Sequence, residues 1–205
     1  DEVYMAQADS GERVGGVVMM GIGEPLDNFD NVMAFLEILS DPRGLNLGLR
    51  HVSLSTCGLV DRIYALAERR LQLTLSVSLH APNDAIRSRS MPVNARYNVD
   101  TLLRACRDYF AATGRRISFE YALIAGENDA PEHAAELAAR LRGMGAHVNL
   151  IPVNPVAETG YRRGDRAAIE RFQNELRLRG VNATIRRELG ADISAACGQL
   201  RRQDA

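Results

Sequence analysis

The sequence predicts an α/β fold built on parallel strands. Three observations point there. Short apolar runs of strand length alternate with longer stretches of helical periodicity along the 205 residues. Gly, Asn, Asp or Pro stands at most junctions between them. Polar residues recur just after the apolar runs, where strands would end. Alternation of this kind gives parallel strands joined by helical crossovers. A doubly wound sheet and a (βα) barrel both satisfy it, although five or six units are too few for a closed eight-stranded barrel.

Taken in order, Gly16 to Met20 is the first apolar run. Gly21-Ile22-Gly23-Glu24-Pro25-Leu26 follows at once. The two glycines let a backbone approach a ligand, and Pro25 ends any ladder. Asn28 or Asp30 can cap a helix reaching residue 40. His51 to Ser55 reads as the second strand. A helix from Leu59 to Arg70 follows, with Leu59, Ile63, Leu66 and Ala67 on one stripe. Leu73 to Leu79 is the third strand. Asn98 or Asp100 caps a helix that runs to about Ala112 and stops at Gly114. Arg116 to Ile124 is the fourth strand. Pro131 opens a helix carrying the i,i+4 pair Glu136 and Arg140, and it closes at Gly143 or Gly145. Val148 to Ile151 is the fifth strand, Asp165 to Arg179 a helix stopped by Gly180, and Asn182 to Arg186 the sixth strand. Asp192 begins a short last turn. Ala81 to Tyr97 and Pro152 to Gly164 are expected to be irregular rim loops.

Composition narrows the class. The length suits one domain. No run approaches the roughly 20 apolar residues of a membrane span, and no leader opens the chain, so a soluble cytoplasmic protein is expected. Every one of the 25 basic residues is arginine, a cation suited to bidentate phosphate contacts. Asp1, Glu2, Asp9, Glu12, Glu24, Asp27, Asp30 and Glu37 face only Arg13 within the first 40 residues, whereas arginines outnumber acids from Arg162 onward. Cys57, Cys106 and Cys197 are too far apart for a CxxC motif and are expected to be reduced thiols.

In a parallel α/β fold all strand C-termini face one side. Glu24, Ser55-Thr56-Cys57-Gly58, Ser78-Leu79-His80, Gly126-Glu127-Asn128-Asp129 and Pro152-Val153-Asn154-Pro155 therefore converge. An acid, a hydroxyl, an imidazole and an amide suit a polar ligand with an amino acid end and a ribose. Each also has a plainer role, as a cap, a turn residue or a satisfied histidine.

Four stretches carry a more specific resemblance. They are Gly21-Ile22-Gly23-Glu24-Pro25-Leu26, Ser78-Leu79-His80-Ala81-Pro82-Asn83-Asp84, Asn149-Leu150-Ile151-Pro152-Val153-Asn154-Pro155 and Ala195-Ala196-Cys197-Gly198-Gln199-Leu200. In this order they resemble the dual-specificity ribosomal RNA adenine methyltransferases of the radical S-adenosylmethionine (SAM) superfamily. The resemblance implies an incomplete parallel (βα)6 barrel over residues 1–205. It implies that Gly23 and Glu24 hold the methionyl amino group of S-adenosylmethionine and that Ser55 binds the same polar end. Ser78, Leu79 and His80 would line its ribose and adenine region, and Asn154 would add an amide contact. Cys197 would be the catalytic methyl carrier. Carbon 2 of adenine is too electron-poor for ordinary methyl transfer. In this family a methylated cysteine becomes a methylene radical, made by a 5′-deoxyadenosyl radical, and adds to that carbon. A thiolate is the nucleophile the first methylation needs.

The family binds a 4Fe–4S cluster through CxxxCxxC. This chain has no such triad, so it is expected to be the C-terminal portion of a longer enzyme, with the first strand and cluster loop upstream and no metal ligands of its own. Alone it should be inactive. Expected partners are 23S rRNA, tRNA and an electron-donor protein, with a monomeric enzyme and no membrane. Arg87 with Arg89, Arg162 with Arg163, and Arg186 with Arg187 are candidate phosphate contacts. Competing readings are a carbon-8 adenine methyltransferase of the same family, a non-catalytic barrel acting as a binding module, and a phosphate-binding α/β enzyme.

Overall fold

The computed structural model describes residues 1–153 and 160–186. In chain order its elements are α1 (Glu2–Ser10), β1 (Val17–Met19), α2 (Phe29–Ser40), β2 (Val52–Thr56), α3 (Val60–Glu68), β3 (Thr74–Ser78), α4 (Asp84–Ser90), α5 (Val99–Thr113), β4 (Ile117–Leu123), α6 (Pro131–Leu141), β5 (His147–Pro152), α7 (Arg166–Leu178) and β6 (Asn182–Ile185). The expected strands and long helices all form, with ends shifted by a few residues. Two helices were not expected. The first, α1, buries none of its residues, so no apolar stripe marks it. The second, α4, interrupts the stretch expected to be irregular, and its one buried residue is an arginine, Arg87.

Six strands make one sheet in the order β1-β2-β3-β4-β5-β6, every pair parallel. A doubly wound sheet would reverse direction at a switch point. This order never reverses, so the sheet advances as a barrel does. Among the described residues β1 and β6 do not pair with each other, which leaves the barrel incomplete.

The pleat gives the two faces opposite character, because successive side chains point to opposite sides. On one face lie Val52 and Leu54, Leu75 and Val77, Ile117, Phe119 and Tyr121, and Val148 and Leu150, all buried. This face joins the apolar residues of the helices in one core, and the Tyr121 ring meets Phe172 of α7 at 5.2 Å. On the other face, register aligns Ser55, Ser76, Ser118, His147 and Asn182 in one row. Ser78, Glu120, Asn149 and Thr184 form the next row toward the strand C-termini. Most of these polar residues are only partly buried. The edge strand β1 continues this face with Val18, which is 68% exposed.

Candidate functional site

The polar face meets the rim at the C-terminal ends of β1, β2 and β3. After β1 the chain runs through Gly21–Gly23, and Gly23 has φ 109°, a conformation side chains disfavour. Glu24 then opens a 3-10 turn over Pro25–Asn28. Its Oε1 accepts from the Leu26 N–H at 3.1 Å and its Oε2 from the Cys57 N–H at 2.6 Å. The carboxylate thus fastens the end of β1 to the end of β2. An ionised carboxylate has about four acceptor positions, so capacity remains for a ligand ammonium.

Beyond β2, Thr56 Oγ1 accepts from the Gly58 N–H at 3.1 Å. Gly58 has φ 107°, and a Cβ there would lie 3.0 Å from Leu102 Cδ2. Ser55 stands on the polar face, half-buried. The Cys57 thiol is pushed up to about 12, by burial first and by the Glu24 carboxylate second. It is therefore a neutral thiol and a poor nucleophile at pH 7. Cys106 is fully buried in α5, a core residue.

At the end of β3, Ser78 lies on the polar face and Leu79 does not. The Leu79 side chain is in the core, and its N–H donates to the Glu120 carbonyl at 3.1 Å. Any contribution from Leu79 to a ligand is therefore through its backbone. His80 takes the left-handed region at φ 58°. Its Nδ1 accepts from the Ala122 N–H at 3.0 Å, which places the ring proton on Nε2. Burial lowers the imidazole to about 4, with the charge of Arg87 adding to the effect. His80 is thus a neutral side chain with a fixed tautomer. The loop after β4 is tied to the same place, because Asn128 Nδ2 donates to the carbonyls of His80 at 2.8 Å and Ala122 at 2.7 Å.

Arg87 corrects the expectation of a phosphate contact. It is 0% exposed and every terminal group of its guanidinium is engaged. Nη2 donates to the carbonyls of Cys57 at 2.7 Å and Ser78 at 3.1 Å, and Nε donates to Leu79 O at 3.1 Å. Nη1 reaches Asn94 Oδ1 at 3.1 Å and Tyr97 O at 3.4 Å. One buried cation therefore clamps the ends of two adjacent strands. Its charge is met through Asn94, whose amide donates to Asp84 at 3.0 Å. Arg89, by contrast, forms an exposed pair with Glu127 at 2.8 Å.

The fold thus brings Gly23, Glu24, Ser55, Ser78 and His80 to one rim. Asn154, Arg187 and Cys197 lie outside the described residues, as does the turn expected at Asp192. Sequence reasoning passed over Arg87 as a clamp, and it passed over Glu120 and Asn149 on the polar face. Strict alternation through Ile117 to Leu123 would have set Glu120 beside Ser118. Among the described residues no group of three or more His, Cys, Asp or Glu is placed to hold a metal ion, and no helix is long and apolar enough to cross a membrane.

Comparison with known proteins adds a family. The radical SAM superfamily model matches residues 1–138. A probable dual-specificity RNA methyltransferase RlmN of Desulforamulus reducens is 55% identical over 203 residues, which are 99% of this chain and 58% of that protein. The protein of the same name from Alkaliphilus oremlandii is 52% identical, again over 99% of this chain and 59% of its own length. The chain thus spans under three fifths of these relatives. A crystal structure of a radical SAM methyltransferase from Sphaerobacter thermophilus superposes with a TM-score of 0.92 at 48% identity, covering 97% of this chain and 58% of that one.

Proposed function

The chain belongs to the radical SAM superfamily, and from that premise we propose that it forms most of the catalytic barrel of an RNA methyltransferase acting on carbon 2 of adenine in 23S rRNA and tRNA. The observation that carries this reading is 55% identity, along 99% of the chain, to a relative named for dual-specificity RNA methylation. The rim supports it, because its donors and acceptors fit S-adenosylmethionine. Glu24 keeps acceptor capacity for the methionyl ammonium, and the backbone of Gly21–Gly23 leaves room beside it. Ser55 serves the same end. Ser78 offers a hydroxyl to the nucleoside, and neutral His80 offers its Nε2–H there. Asn154 is proposed as a further amide contact and Cys197 as the methyl carrier. When bound, S-adenosylmethionine supplies the methyl group and, with the cluster, the radical that activates it.

The 4Fe–4S cluster finds no ligand set among the described residues. Its ligands belong, in this proposal, to a segment outside this sequence. The whole enzyme would be a cytoplasmic monomer served by an electron-donor protein. Arg163, Arg166 and Arg186 line a cleft beside Pro152 at the ends of β5 and β6. We propose this cleft as a contact for RNA phosphates, with Arg166 also paired to Glu170 at 2.7 Å.

The test uses the full-length enzyme, prepared without oxygen and given methyl-labelled S-adenosylmethionine and an unmodified rRNA fragment. Mass spectrometry should find label on the Cys197 sulfur and 2-methyladenosine in the digested RNA, and Cys197→Ala should abolish the product. An 8-methyladenosine product, or an active Cys197→Ala enzyme, would overturn the proposal.

A further inference from the structure

Glu120 is the one acid in the two central rows of the polar face, and it is only 5% exposed. Two neutral donors fix it. Asn149 Nδ2 donates to its Oε2 at 2.7 Å, and Ser118 Oγ donates to its Oε1 at 3.1 Å. No side chain among the described residues forms an ion pair with it. Burial pushes its carboxyl above the ordinary value, against the pull of Asn149, Ser118 and the charge of Arg186. A buried carboxyl held this way costs stability, and an apolar or amide residue would hold the same place in the sheet more cheaply. Such groups persist where function uses them.

Position says which function. Glu120 shares its row with Ser78 on the adjacent strand. It lies on β4, two strands from the end of β2 where the Glu24 carboxylate accepts from the Cys57 N–H, or roughly 10 Å at ordinary strand spacing. That is too far for both carboxylates to serve one ammonium. Along a ligand whose amino acid end sits at Glu24, the ribose hydroxyls are the next donors. A carboxylate with two of its about four acceptor positions filled can still accept from a hydroxyl pair.

We propose that Glu120, oriented by Asn149 and Ser118, is a ligand-binding residue that accepts hydrogen bonds from the ribose hydroxyls of the adenosyl cofactor. The assignment rests on the cofactor reading given above. A strut of the sheet and a ligand contact differ in sign when Glu120 becomes Gln. Loss of a strut lowers the melting temperature, whereas loss of a costly ligand contact leaves it unchanged or raises it.

The experiment measures thermal unfolding without ligand and equilibrium binding to the full-length, cluster-loaded enzyme. The ligands are S-adenosylmethionine and its 2′-deoxy and 3′-deoxy analogues. Wild type should bind S-adenosylmethionine about tenfold tighter than at least one analogue, as expected for a hydrogen bond to a charged group. Glu120→Gln should bind all three within about twofold of one another and melt no lower than wild type. Glu120→Met, which removes every polar atom, should show the same loss of ribose preference. A wild type that binds S-adenosylmethionine and both analogues equally, a variant that keeps the wild-type preference, or a Glu120→Gln that melts lower than wild type overturns the assignment. If wild type does not bind S-adenosylmethionine at all, the cofactor reading itself falls, which is a different result.

Discussion

The two faces of the sheet carry the same strands and answer to different demands. Leu54 and Ser55 are neighbours in β2, yet Leu54 is fully buried against the helices and Ser55 stands half-buried on the polar side. The helix-covered face is a continuous apolar core from β2 to β6. The other face is filled with Ser, Asn, Thr, His and Glu, residues that contribute little apolar burial. The difference separates the face that carries the apolar packing from the face where the cofactor is proposed to bind. Helix packing supports the sheet from one side, which frees the other side and its rim for a polar ligand. The charged exception is Arg87, a buried cation on the covered side that holds the rim in shape.

Breaking that exception should produce the largest effect. Arg87→Met removes the donors of five acceptors, at roughly 1 kcal/mol each, so unfolding in urea should show a loss of about 5 kcal/mol. Phe119→Ala empties a fully buried site on the covered face. It should cost about 4 kcal/mol by the same measurement. Cofactor affinity should change less in Phe119→Ala than in Arg87→Met, because Phe119 lies away from the rim.

His80 gives a smaller effect that depends on pH. Its folded imidazole is lowered from the ordinary 6.5 to about 4. A lowered value means the unfolded chain binds the proton first as pH falls. The stability that neutral His80 provides is therefore complete above about pH 6.5 and is lost toward pH 4, by about 3 kcal/mol in all. His80→Asn, which tolerates the left-handed backbone, should flatten that acid limb in urea titrations between pH 7 and pH 4. An unchanged limb would show that the imidazole is not held neutral.

Much of this was legible in the sequence, and the rest was hidden for identifiable reasons. Strands announced themselves because β-branched and leucine-rich runs alternate with helical stripes. Strand order did not, since alternation alone cannot separate a winding sheet from a barrel. The rim residues were legible because they follow apolar runs. Glu24 was expected as a ligand group, and the bond by which it joins β1 to β2 needs a contact 33 residues away in sequence. Arg87 misled for a related reason. An arginine beside other polar residues in a loop-like stretch reads as solvated, and only tertiary contacts reveal five carbonyl and amide partners around it. Leu79 shows the same limit at smaller scale, because the pleat sends its side chain into the core between two rim residues.

The most direct test sets the adjacent residues of β2 against each other in the full-length enzyme. Ser55→Ala should weaken S-adenosylmethionine binding about tenfold while stability stays within about 0.5 kcal/mol of wild type. Leu54→Ala should lose about 3 kcal/mol of stability and keep cofactor affinity within about twofold under conditions where it is folded. If Ser55→Ala binds the cofactor like wild type, or Leu54→Ala loses affinity as much as stability, the division of labour between the two faces is contradicted.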